Sequence, residues 1–164
     1  MKLESLQDLY LSELKDLYSA EDQIIKALPK VIEKVQSPEL RTALQEHLEQ
    51  TRGHVTRLED IFEMHGEQAE KQKCKGMAGV LDEGEEMMKK DATPAVRDAA
   101  IISACQRVEH YEIAAYGTVR TFADQLGHQR AAALLKETLD EESAADEKLT
   151  QVAMSLNVVA TRSA

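Results

Sequence analysis

Val108-Glu109-His110-Tyr111-Glu112-Ile113-Ala114-Ala115-Tyr116 sits in the middle of a long helical pattern and decides how the chain is read. Around it, Ile101/Ile102, Cys105, Val108, Ala115, Val119, Phe122 and Leu126 recur every three or four residues, the signature of one apolar helix face. The missing step in that face is filled by Glu112. An ionised carboxylate withdrawn from water is costly unless a cation or several donors meet it. The same substitution occurs once more. Leu6, Leu9/Tyr10, Leu14, Leu17, Ile24/Ile25, Leu28 and Val31/Ile32 form the face of a first helix, and Glu21 occupies its missing step.

The remaining segments build outward from these two helices. The first is expected over about 3–36, with a kink at Pro29 because the periodicity runs on to Val35. Ser37-Pro38 is a helix-capping pair that starts a second helix over 38–65, carried on Leu40, Leu44, Leu48, Val55, Leu58 and Ile61/Phe62. His47, Thr51 and His54 border or interrupt that face. The pattern weakens over a 66–93 crossover, where a short amphipathic helix is expected at about 74–89. Thr93-Pro94 starts a third long helix over 94–126, ended by Gly127, and a fourth follows over 129–156 with a loose tail behind it. Short turns within two helix pairs and a long link between them describe an all-α, ferritin-like four-helix bundle with one crossover, a single domain spanning 1–164.

Composition agrees. With 7 Gly, 3 Pro, no Trp and 2 Phe, the chain has the make-up of long helices. A formal net charge of −10 argues against a partner that is nucleic acid or an anionic membrane, and leaves cations as plausible ligands. Nothing resembles a signal peptide or a membrane span, and Cys74 and Cys105 match no zinc or redox spacing, so a cytoplasmic protein with reduced thiols is expected.

A weak internal repeat sharpens the picture. Sliding the second half back by 91 positions pairs Glu21 with Glu112 and Glu46 with Glu137, along with several leucines. Two similar hairpins would bring the core-position glutamates together across a pseudo-two-fold axis. Counting back from the turns, Glu21 stands level with Gln50 to Arg52, and Glu112 with Asp140 to Ser143. Candidate metal ligands at this level are therefore Glu21, His54, Glu109, Glu112, Glu141 and Glu142, with Glu142 more squarely on the core stripe than Glu141. Carboxylates with imidazole suit one or two iron or manganese ions. No strict Glu-x-x-His is present: Gln50 and His54 are four apart, and Ala145 stands where a second histidine is needed. His47, His65, His110 and His128 read as structural or surface residues.

Tyr18-Ser19-Ala20-Glu21, Glu46-His47-Leu48-Glu49-Gln50-Thr51, the Val108 to Gly117 string and Glu137-Thr138-Leu139-Asp140-Glu141-Glu142 resemble the YciF/YciE group of ferritin-like proteins, nearly end to end. That resemblance implies a small bacterial stress-associated protein, a homodimer, and a di-metal site on the inward carboxylates, but no known substrate. In the family pattern a second Glu stands where this chain has Gln50, which places one metal position in question. The functional expectation is a di-iron or di-manganese carboxylate protein with oxidoreductase activity towards oxygen or peroxide. The competing expectation is a metal-free four-helix dimer acting as a structural or interaction protein, its carboxylates sharing protons.

Overall fold

A computed structural model describes residues 3–162 and contains five helices: α1 (Leu6–Ile32), α2 (Pro38–Met64), α3 (Lys75–Lys89), α4 (Pro94–Gln125) and α5 (Gln129–Ala160). No strand occurs among the described residues. The capping chemistry accounts for the boundaries. Ser5 Oγ accepts from Asp8 N and Ser37 Oγ from Leu40 N, while Pro38 and Pro94 open α2 and α4. Gly66 and Gly127, at φ of 66° and 77°, turn the chain out of α2 and α4 in the left-handed conformation that glycine tolerates best.

Two ends differ from the sequence expectation. Pro29 lies inside α1, but the helix stops at Ile32 rather than running to residue 36, and Val35 is buried from the turn beyond it. The turn is organised by distant side chains: buried Asp98 of α4 accepts from Gln36 N (3.0 Å) and Ser37 N (2.7 Å), and Arg41 reaches back to the carbonyls of Ile32 and Val35. These bonds replace the last helical turn. At the other end, α5 continues to Ala160, so the expected loose tail is helical for one more turn; Ser163 and Ala164 fall outside the described residues.

α1 packs beside α2 and α4, and α5 beside α4 and α2, so each long helix lies between two antiparallel neighbours. The crossover climbs the bundle from the end of α2 to the start of α4, and on the way α3 rests on α4 and α1. Glycine permits the close approach: a Cβ on Gly76 would stand 2.6 Å from the Tyr111 ring, and one on Gly84 3.2 Å from Ala104 Cβ.

The core is split in two. One apolar cluster fills the bundle around Ile24, Leu28, Leu44, Ile101, Leu149 and Val152. The other surrounds Tyr10, Leu14, Leu58, Phe62, Val119 and Leu135. Between them every long helix changes character at the same height: Glu21 on α1, His47, Thr51 and His54 on α2, Glu109 and Glu112 on α4, Thr138 and Glu142 on α5. Apolar clusters above and below this layer bury its carboxylates, which raises the cost of leaving their charges unmatched.

Candidate metal centre

The polar layer holds four carboxylates and two imidazoles. Glu21, Glu112, Glu142 and His54 are 0% exposed, Glu109 is 1% and His47 5%. Their side-chain donor atoms fall into two groups, Glu21/His54/Glu142 and His47/Glu109/Glu112/Glu142, within each of which one ligand atom per residue lies within 4.8 Å of the others. Glu142 belongs to both.

The first group is tethered. The Tyr116 hydroxyl donates to Glu21 Oε1. His54 turns Nδ1 inward, 2.9 Å from Glu142 Oε1 and 3.4 Å from Glu21 Oε1, and Nε2 outward, 2.9 Å from Glu141 Oε2. Glu141 is in turn gripped by both terminal guanidinium nitrogens of Arg57, at 2.6 and 2.9 Å, and Arg57 also bonds Thr138 and Glu137. A carboxylate behind a histidine is how metal sites orient an imidazole and set its tautomer.

The second group has almost no partners. His47 Nε2 lies 3.4 Å from Glu109 Oε1. Both His47 nitrogens, both Glu112 oxygens, Glu142 Oε2 and Glu109 Oε2 lack a hydrogen bond, as does Glu21 Oε2 in the first group, while Glu142 Oε1 and His54 Nδ1 meet each other as an ion pair. Buried polar atoms are nearly always paired, so a concentration of orphans in one layer calls for ligands or protons. Burial, followed by the Glu142 and Glu21 charges, pushes the Glu112 carboxyl far above the usual range, and burial with the Glu142 charge does the same to Glu109. Burial of His54 favours its neutral form, but the facing Glu142 and Glu21 carboxylates outweigh it and lift the imidazole to about 10. Burial would raise Glu142 too, yet His54 holds it below the ordinary value. The Tyr116 phenol is pushed well above its ordinary value by burial and by the Glu21 and Glu112 charges. Without a cation the layer thus holds protons, and those are what a cation displaces.

A metal fits these residues. Carboxylate oxygens with two imidazoles form a mixed donor set suited to iron or manganese, and the orphaned atoms are the ones that converge.

Of the six residues expected as ligands, five come together: Glu21, His54, Glu109, Glu112 and Glu142. Glu141 does not. It is about 29% exposed on its side chain, stands outside both groups, and its carboxyl is held below the usual range chiefly by Arg57. Asp146 also turns away, to Gln106 at 3.1 Å and His110 at 3.2 Å. The α2 window expected level with Glu21, Gln50 to Arg52, meets the layer through Thr51. Gln50 is exposed at the layer's edge, and the inward position is Thr51, whose hydroxyl donates to the His47 carbonyl at 2.8 Å. Glu-x-x-His is therefore divided between hairpins: α2 carries Thr51-x-x-His54 and α5 carries Glu142-x-x-Ala145.

His47 was expected at the surface or in a structural role, and it lies in the second group. Its signal was present, since it stands seven residues before His54 and so on the same helix face. Among the tyrosines only Tyr116 reaches the layer; Tyr18 donates to Glu59 at 2.7 Å, and Tyr111 lies 3.0 Å from Cys74 Sγ and donates to Asp16 at 3.3 Å. His65 and His128 meet edge to face at the far end of the bundle, near Tyr10. Cys74 and Cys105 are buried free thiols, and among the described residues no helix is long and apolar enough to cross a membrane.

Known proteins share this arrangement of helices. The chain is 42% identical over 156 residues to YciF of Escherichia coli K12, covering 94% of each chain. The crystal structure of that E. coli stress protein superposes with a TM-score of 0.91, over 94% of this chain and 98% of the other. YcfI from Rhodopseudomonas palustris matches with a TM-score of 0.89 at 40% identity, covering 91% and 95% of the two chains. A protein from Xanthomonas campestris pv. campestris, 19% identical with a TM-score of 0.76 over 96% of both chains, shares the fold. Residues 5–161 match DUF892, described as a domain of unknown function, and together with the extent of the likeness to YciF this shows that the chain belongs to the DUF892 family of ferritin-like bundles.

Proposed function

We propose that the protein is a two-ion iron or manganese carboxylate protein whose metal centre serves stress-related oxidoreductase chemistry on oxygen or peroxide. The observation that carries the reading is the convergence of unpaired buried ligand atoms into two groups joined by Glu142. Glu21 and His54 would hold one ion; His47, Glu109 and Glu112 the other; Glu142 would serve both. Iron or manganese bound there supplies one-electron exchange with an oxidant. The protein's own part is to surround the centre with two apolar clusters, to orient His54 through Glu141 and Arg57, and to hold a proton on Tyr116 Oη against Glu21. The likeness to the stress protein YciF supports the setting.

Elemental analysis of protein purified without chelators, followed by anaerobic titration with Fe(II) and Mn(II), tests this. Two ions per chain, both lost in Glu142→Ala, are expected; a protein that takes up no ion under either titration contradicts the reading.

A metal-free structural or interaction role is favoured by one observation, the raised carboxyls of Glu109 and Glu112, which allow the layer to share protons instead. In that case the protein binds no metal and its dimer, measured by sedimentation, is unaffected by chelators.

A further inference from the structure

The second group is reached from outside by a cavity of about 190 Å³ that no part of the metal reading uses. It opens between α1, α3 and α4, and its walls are largely apolar, formed by Ile24, Leu28, Val31, Leu81, Met88 and Val108. Its inner end is His47 and Glu109, buried residues whose His47 Nδ1, His47 Nε2 and Glu109 Oε2 have no hydrogen-bond partner. Lys30 and Lys34 line it as well, and both are exposed, which places them at the mouth. Asp82 and Glu85 share the lining; Glu85 is paired with Lys89 at 2.9 Å and also feels the charges of Lys30 and Lys34, which make no direct ion pair among the described residues.

An ion does not need this route. A second cavity of about 190 Å³ reaches the same His47 and Glu109 from between α2 and α5, and Glu46, Gln50 and Lys148 give it a polar lining. The apolar cavity therefore suits a different visitor. Size decides its class: a dry apolar cavity of about 150 Å³ already admits benzene, so one aromatic ring or a short aliphatic chain fills this one. The paired lysines at the mouth add a preference for an anionic head.

We propose that the α1/α3/α4 cavity is a binding site for a small monoanionic amphiphile, a benzoate-sized or short-chain carboxylate, seated with its carboxylate at Lys30 and Lys34 and its apolar end towards His47 and Glu109. The inference depends on the metal reading only for what lies beyond that apolar end. α3 is the wall most able to yield to an entering ligand, since only Met77 and Gly84 of its residues are buried.

The experiment uses the full chain and 4-fluorobenzoate observed by fluorine NMR, first without metal and then with Mn(II). Saturable binding to the metal-free protein is expected, lost in Ala27→Phe, which fills the cavity, and weakened about fivefold by Lys30→Glu/Lys34→Glu, as loss of two exposed ion pairs would give. Leu81→Phe repeats the filling test should Ala27→Phe fail to fold. 4-Fluorobenzylamine, with the opposite head charge, is expected to bind more weakly. With Mn(II) in the site the fluorine signal should relax faster. No saturable binding to the metal-free protein, or binding that survives both filling variants, overturns the proposal. Relaxation unchanged in protein that elemental analysis shows to hold Mn(II) overturns the placement of the ligand's apolar end. Protein that binds the probe but no metal upholds the cavity and refutes the metal reading alone.

Discussion

The two halves of the polar layer are built from the same residue types and held in opposite ways. On the Glu21/His54 side each inward group has an outward tether: Tyr116 on Glu21, Glu141 and the Arg57 clamp on His54. On the Glu109/Glu112 side there is none, and the His47 imidazole and the Glu112 carboxyl have no hydrogen-bond partner. One half is ordered before an ion arrives. The other depends on an ion, or on protons, for its charge balance. An affinity difference between two ions within one layer follows, because pre-oriented ligands give up less freedom on binding.

The largest expected effect comes from the residue the halves share. Glu142→Ala should remove both ions, read by elemental analysis after anaerobic loading; retention of either at full occupancy would show that Glu142 joins nothing. Next, Glu112→Gln should cost one ion and leave the Glu21/His54 ion in place. In the metal-free protein the same substitution should raise the melting temperature near neutral pH, because folding no longer has to bind a proton on a carboxyl that is ionised in the unfolded chain. Equal loss of both ions would erase the proposed asymmetry.

A pH series separates the states. His54 sits above its unfolded value of 6.5, at about 10, so its stabilising contribution is complete below 6.5 and lost as pH rises towards 10. Glu109 and Glu112, raised by burial, act in the same direction, since folding favours their protonated forms. Metal-free protein should therefore lose stability as pH rises above neutrality, while metal affinity increases as the competing protons leave. Thermal unfolding with and without Mn(II) across that range checks both slopes; parallel curves would mean that the layer's protons and the metal do not compete.

Smaller effects probe the tethers. Arg57→Ala frees Glu141 and should weaken the Glu21/His54 ion by about 10- to 100-fold, the usual cost of losing a group that orients a ligand, leaving the second ion's affinity unchanged in competition titrations. Tyr116→Phe should be milder, destabilising the fold by about 1–3 kcal/mol for a hydrogen bond lost from a charged partner. If Arg57→Ala weakened both ions alike, the outward tether would not belong to one half.

The same contrast explains what could be read from the chain beforehand. Glu21 and Glu112 announce the layer because a charge on an apolar stripe is conspicuous, and the 91-residue offset that relates them also relates Thr51 to Glu142 and His54 to Ala145. Each hairpin retains one member of Glu-x-x-His, and the bundle combines them. The unpaired half was harder to see. His47 lies where a histidine bordering a leucine stripe is ordinarily structural, and its role depends on Glu109 across the bundle, a relation no local pattern contains. Counting levels back from the turn gave a window, Gln50 to Arg52, and not a single position; a helix rotates about 100° per residue, so of that window Thr51 turns inward and Gln50 does not. Glu141 and Glu142 are adjacent, and the same rotation sends one outward to Arg57 and the other into the layer. The end of α1 was misjudged for a similar reason: the bonds from Asp98 and Arg41 that stop it at Ile32 come from other helices.

The most direct measurement is anomalous diffraction from crystals grown with Mn(II) under anaerobic conditions. The account predicts two peaks on either side of Glu142, one among Glu21 and His54 and the other among His47, Glu109 and Glu112. A layer with no peak, or peaks confined to surface carboxylates, would contradict it.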